Sequence, residues 1–61
     1  MKRKEFVNSL TKAGCVLLRH GSKHDIYLNP LNGRKQPVPR HADVDERLAK
    51  HIRKFLGIEE K

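Results

Sequence analysis

A single cysteine, Cys15, occurs in this 61-residue chain. No intrachain disulfide is available to brace the fold, and a reducing, cytoplasmic setting is the simplest expectation. Tryptophan is absent, and Tyr27, Phe6 and Phe55 are the only aromatic residues. Platforms that stack unpaired bases usually present two or three exposed rings. Both Phe residues fall on apolar positions of expected helices, so recognition by stacking should be weak. Long apolar runs are also missing: the longest, Cys15 to Leu18, is far short of a signal h-region or a membrane span, and no membrane partner is expected. Chain length fits one domain, residues 1–61, able to bury roughly 60% of its unfolded surface.

Acidic residues are scarce where basic ones gather. The chain has 14 Lys/Arg against 7 Asp/Glu, a formal net charge of +7. Residues 1–42 hold nine of the cations and only two acids, Glu5 and Asp25, whereas residues 43–61 are balanced with five of each. The whole surplus therefore lies in the first two thirds. A uniform solubilising coat would not segregate in this way, so a polyanion-binding surface is expected there.

Periodicity supplies the element order. Phe6, Val7, Leu10 and Ala13 recur at spacings of three and four, so Glu5–Ala13 reads as a short amphipathic helix ended by Gly14. Cys15 to His20 reads as a strand stopped by Gly21-Ser22, with its inward face left open because three apolar residues run together. Lys23 to Asn29 alternates as a second strand. Asn29-Pro30 stops it, Asn32-Gly33 suits a hairpin loop over residues 30–34, and Lys35–Pro39 reads as an edge strand because Pro37 and Pro39 cannot donate to a ladder. A final helix has Asp43 as expected N-cap, Glu46 three residues on, apolar Val44, Leu48, Ile52, Phe55 and Leu56, and Gly57 as terminator. The expected fold is a small α+β domain, α-β-β-β-α, with a three-stranded antiparallel sheet and both helices on one face. Met1–Lys4 and Glu59–Lys61 are expected to fray.

Four histidines interrupt the cationic pattern. His24 follows the turn Gly21-Ser22-Lys23, with Arg19 nearby, so a group that titrates near neutrality stands at the mouth of a hairpin among cations. The bland alternative is a polar strand residue facing water. His41 follows Arg40 ahead of the last helix and is a candidate for phosphate binding or a second proton carrier, against an ordinary loop role. His20 lies four residues before His24, but a turn separates them, so helical metal-ligand spacing does not apply and nothing completes a tetrahedral set. No metal or other cofactor is expected. His51 reads as a surface helix residue, and Cys15 as a small buried hydrophobe.

Gly21-Ser22-Lys23-His24, Ile26-Tyr27, Asn29-Pro30 and Val38-Pro39-Arg40-His41, in this element order, make the chain resemble the HicA toxins of bacterial type II toxin–antitoxin pairs. The resemblance covers nearly the whole sequence. It implies a fold like a double-stranded-RNA-binding domain, metal-independent endoribonuclease activity on mRNA that inhibits translation, a bacterial cytoplasmic location, and silencing by a HicB-like antitoxin that covers the active site. It places the family's single catalytic histidine on His24. Lys23 and Asp25 flank it where many members carry a second histidine or an asparagine.

Metal-free cleavage uses the substrate's own 2′-hydroxyl as nucleophile and needs a base, an acid and cations on the phosphate. His24 is the candidate for proton transfer, and Arg19, Ser22, Lys23, Arg34, Lys35, Arg40 and His41 are the candidates for RNA binding. Two rivals remain at this point. One is a non-catalytic double-stranded-RNA binder, whose last helix would normally meet phosphate at its start. Asp43-Val44-Asp45-Glu46 would repel it there. The other is a basic protein-interaction module docking on an acidic partner.

Overall fold

A computed structural model describes residues 1–58. The elements run α1 (Arg3–Lys12), β1 (Val16–His20), β2 (His24–Asn29), β3 (Arg34–Pro39) and α2 (Glu46–Leu56). The strands form one antiparallel sheet in the order β1-β2-β3, so the α-β-β-β-α order and the α+β class are as the periodicity indicates. Phe6 and Leu10 of α1 and Ala49, Ile52 and Leu56 of α2 share a buried core with Tyr27, Val38, Val44 and Cys15. Both helices thus cover one face of the sheet, and the other face is left open.

The phase of β2 is the unexpected feature. Asp25, Tyr27 and Asn29 point toward the helices and are buried, while Ile26 and Leu28 lie on the open face. Apolar residues would ordinarily claim the inner positions, because burying an uncompensated polar group is costly. Here both polar groups are compensated. Asn29 Nδ2 donates to the carbonyl of Leu56 at 2.6 Å, and its Oδ1 accepts from the amide of Leu31 at 3.1 Å. Asp25 is held by cations, as described below. The three consecutive apolar residues of β1 are explained by a bulge: Leu17 pairs with Tyr27 and Arg19 with Ile26, so Leu18 is an extra residue in the strand.

Turn chemistry follows the sequence closely. Gly14, Gly33 and Gly57 take positive φ. At Gly57 this left-handed cap ends α2, with its amide donating to Lys54 and that of Ile58 to Arg53. The start of α2 differs from expectation. Asp45, not Asp43, is the N-cap, and it makes no side-chain capping bond. Asp43 instead bridges Lys2, and Val44 is buried in extended chain ahead of the helix. The same pairing corrects the expected fraying of Met1–Lys4: Arg3 donates its amide to Ala42, and Val44 donates to Met1. α1 begins at Arg3 rather than Glu5. The expected fraying of Glu59–Lys61 falls outside the described residues.

The buried arc of α2 runs through Ala49, Ile52 and Leu56, so Leu48 and Phe55 turn outward, at 39% and 47% exposure. Phe55 meets the His51 ring with centroids 4.4 Å apart. Its exposed ring lies in the helical layer, away from the open sheet face. Among the described residues, no helix is long and apolar enough to cross a membrane.

Candidate active site

Strand β1 ends at His20 and β2 begins at His24, so the turn between them is only Gly21, Ser22 and Lys23. The Gly21 amide donates to the His24 carbonyl oxygen at 2.7 Å and closes the turn. A methyl group on Gly21 would lie 2.7 Å from that same oxygen, closer than any side-chain carbon tolerates, which accounts for glycine at this position. Residues Ser22, Lys23 and His24 are exposed around the closed turn.

A hollow of about 240 Å³ opens here on the uncovered face of the sheet. Ile26 and Pro37 form its apolar floor, and Arg19, Ser22, Lys23 and His24 surround it. The register explains the grouping, since Arg19, Ile26 and Pro37 sit side by side across the three strands. Four of the residues singled out from sequence are thus brought together: an imidazole, a hydroxyl and two cations.

Behind the turn, on the inner side, Asp25 gathers three further groups. Arg3 Nη2 donates to its Oδ2 at 2.7 Å, Arg40 Nε donates to Oδ1 at 2.9 Å, and His20 Nδ1 lies 2.8 Å from Oδ1. The hydrogen bond from His20 holds the Asp25 carboxyl below its usual range; partial desolvation opposes this, and Arg40 adds to it. Arg40 also reaches the turn itself, with Nη2 donating to Gly21 oxygen at 2.5 Å and Nη1 to Ser22 oxygen at 3.4 Å. Arg3 Nε donates to the Pro39 carbonyl at 2.7 Å. One carboxylate therefore ties α1, β1 and the segment after β3 to the loop that carries His24.

The other candidates lie elsewhere. Arg34 pairs with Asn29 at the far end of β2, about 17 Å of strand from His24 at roughly 3.4 Å per residue. Its Nη1 points to the Phe55 carbonyl at 3.5 Å, at the end of α2. Lys35 pairs with Leu28 on the open face, nearer that far end than the hollow. His41 is exposed just beyond β3 and does not line the hollow. Cys15 is buried, and that burial pushes its thiol up against the opposing charge of Arg53. A suppressed thiolate is a poor nucleophile. Among the described residues no group of three or more His, Cys, Asp or Glu is placed to hold a metal ion. A larger groove of about 740 Å³, beside α1 and α2, is edged by Lys50, Arg53 and Lys54 but holds no imidazole.

Sequence reasoning missed Arg3, His20 and Asp25 as parts of this site. The available signal was the alternative phase of β2, in which Asp25, Tyr27 and Asn29 share a face.

The family model described as HicA toxin of bacterial toxin-antitoxin matches residues 3–58. No curated protein and no solved structure matches the chain.

Proposed function

This chain belongs to the HicA toxin family of bacterial toxin–antitoxin systems, and on that premise we propose that it is an endoribonuclease that cuts mRNA with His24 as a proton-transfer residue. One observation carries the reading: an exposed imidazole stands at a hollow edged by Arg19, Lys23 and the Ser22 hydroxyl.

The chemistry follows from that arrangement. An RNA phosphate set against Arg19 and Lys23 has its negative charge balanced as the 2′-oxygen attacks phosphorus. The 2′-oxygen–phosphorus bond forms, the bond to the 5′-oxygen breaks, and a 2′,3′-cyclic phosphate and a 5′-hydroxyl result. A proton leaves the 2′-hydroxyl and another reaches the departing 5′-oxygen. His24 carries one of these, for about 10²–10⁴-fold in rate. The hollow is shallow and its floor apolar, so it fits a single-stranded segment bent over the turn better than a duplex. The exposed acids Asp43, Asp45 and Glu46 before and at the start of α2 oppose the phosphate contact that a duplex binder would make there.

Toxin–antitoxin membership brings an antitoxin partner. We assign it to a HicB-like protein whose acidic surface covers the hollow, matching a chain of net charge +7. Expression in growing bacteria tests the whole reading. The wild-type chain should arrest growth with loss of mRNA, and His24→Ala should permit growth at equal protein level. Arrest by both would refute the role of His24.

A further inference from the structure

We propose that Arg40 is a positioning residue that clamps the His24 turn from the inner side of the sheet, and that it is not one of the cations that meet RNA; this rests on the ribonuclease reading above. The His24 ring makes no hydrogen bond or ion pair of its own among the described residues. Its place at the hollow is therefore set by the backbone that carries it. That backbone is the Gly21–Lys23 turn, and Gly21 is gripped from two directions: its amide donates to the His24 carbonyl, and its own carbonyl accepts from Arg40 Nη2.

The register brings Arg40 there. Pro39, the last residue of β3, pairs with His24, the first of β2, so the chain leaves β3 one residue later, alongside the turn. From this position one guanidinium spans three acceptors. Nε donates to Asp25 Oδ1 at 2.9 Å, Nη2 to the Gly21 carbonyl, and Nη1 to the Ser22 carbonyl at 3.4 Å. Asp25 is itself fixed, because Arg3 Nη2 donates to its Oδ2 while Arg3 Nε donates to the carbonyl of Pro39, directly before Arg40. Arg3 thus braces the clamp at both ends.

The same geometry turns Arg40 away from the substrate. Asp25 points toward the helices, the hollow opens on the opposite face, and Arg40 is not among the residues that surround it. A planar fork with donors in fixed directions can join a carboxylate to two carbonyls, whereas an ammonium is a single point of charge on a flexible stem. Arg40→Lys therefore keeps the charge and loses the clamp.

The test measures kcat and KM for a single-stranded RNA oligonucleotide in EDTA for wild type, Arg40→Lys, Arg40→Gln and the exposed control Arg47→Gln, and RNA affinity against salt for each in the His24→Ala background. Both Arg40 variants should lose at least about tenfold in kcat, since a misplacement of about 1 Å can cost about 10²-fold, while RNA affinity and salt slope stay as in wild type. Arg47→Gln should keep the wild-type kcat. A wild-type kcat in Arg40→Lys, or a salt slope flattened by about 0.7 in Arg40→Gln, would make Arg40 a cationic contact and overturn the proposal while leaving the ribonuclease reading standing. A wild type that cuts nothing would overturn both. Should the Arg40 variants fail to fold, ¹H–¹⁵N spectra of the wild type decide: an Arg40 Nε–H that exchanges more slowly than that of Arg47 supports the clamp, and equal exchange overturns it.

Discussion

The amide of Gly21 donates to the carbonyl of His24 at 2.7 Å, and the α-carbon of Gly21 faces the same oxygen so closely that a methyl group there would collide with it. Turn closure and the placement of His24 thus depend on one missing side chain. Gly21→Ala should open the turn and lower RNA cleavage by at least about tenfold, because a 1 Å misplacement can cost 10²-fold in rate. The core lies away from this turn, so the thermal melt should move far less than activity does. Parallel kinetics and melting would detect the split; a fully active Gly21→Ala would show that the turn geometry is irrelevant.

Much of the fold was legible because the signals were local. Gly57 ends α2 where its sequence indicates, and the Gly21-Ser22 and Asn32-Gly33 dipeptides punctuate the strands. What escaped was long-range. Asp25 reads only as one polar position of an alternating strand until Arg3, from 22 positions earlier, and Arg40, from 15 later, are brought to it by the fold. The bulge at Leu18 and the placement of the α2 N-cap at Asp45 likewise depend on tertiary pairing, with Tyr27 in one case and the Met1–Arg3 segment in the other. Within the candidate site, the cationic turn was visible from sequence, whereas its support from behind was not.

Acid should dismantle that support. The Asp25 carboxyl is held below its usual value of 3.8, chiefly by the hydrogen bond from His20. A depressed carboxylate stabilises the fold fully above its unfolded pKa, and the contribution is lost as pH falls through the folded value. Melting temperatures of wild type and Asp25→Asn should therefore differ most above about pH 5 and draw together only as pH falls below 3.8 and through the lower folded value. A constant gap down to pH 2 would contradict this assignment.

Asn29 joins the β2–β3 hairpin to the end of α2 through two bonds made by a buried side chain. Asn29→Ala strips a partner from the Leu56 carbonyl and from the Leu31 amide. The cost should be about 1–3 kcal/mol, a drop of several degrees or more in Tm for a domain of this size. Arg34→Ala, which removes only an exposed 3.5 Å contact to Phe55, should move the Tm little. Calorimetry or circular dichroism melts would separate the two, and equal losses would contradict the difference in burial.

Salt dependence maps which cations meet the RNA backbone. For a single strand the log–log slope of affinity against salt is about −0.7 per neutralised phosphate. Arg19→Gln and Lys23→Gln, beside the hollow, should each flatten that slope by about 0.7, and Arg34→Gln should leave it unchanged. Anisotropy titrations of a labelled oligonucleotide with the His24→Ala background, which prevents turnover, would read this directly. An effect of Arg34→Gln equal to that of Lys23→Gln would mean that the binding track extends along the whole sheet.

Incubating purified wild type and His24→Ala with mRNA in the presence of EDTA bears most directly on the proposed activity. His24 is exposed and outside the buried core, so its removal should leave the melt unchanged. Wild type should produce fragments ending in 2′,3′-cyclic phosphate under chelation, while His24→Ala should be slower by about 10²–10⁴-fold. Equal cleavage by both proteins, or cleavage by wild type that EDTA abolishes, would contradict the account.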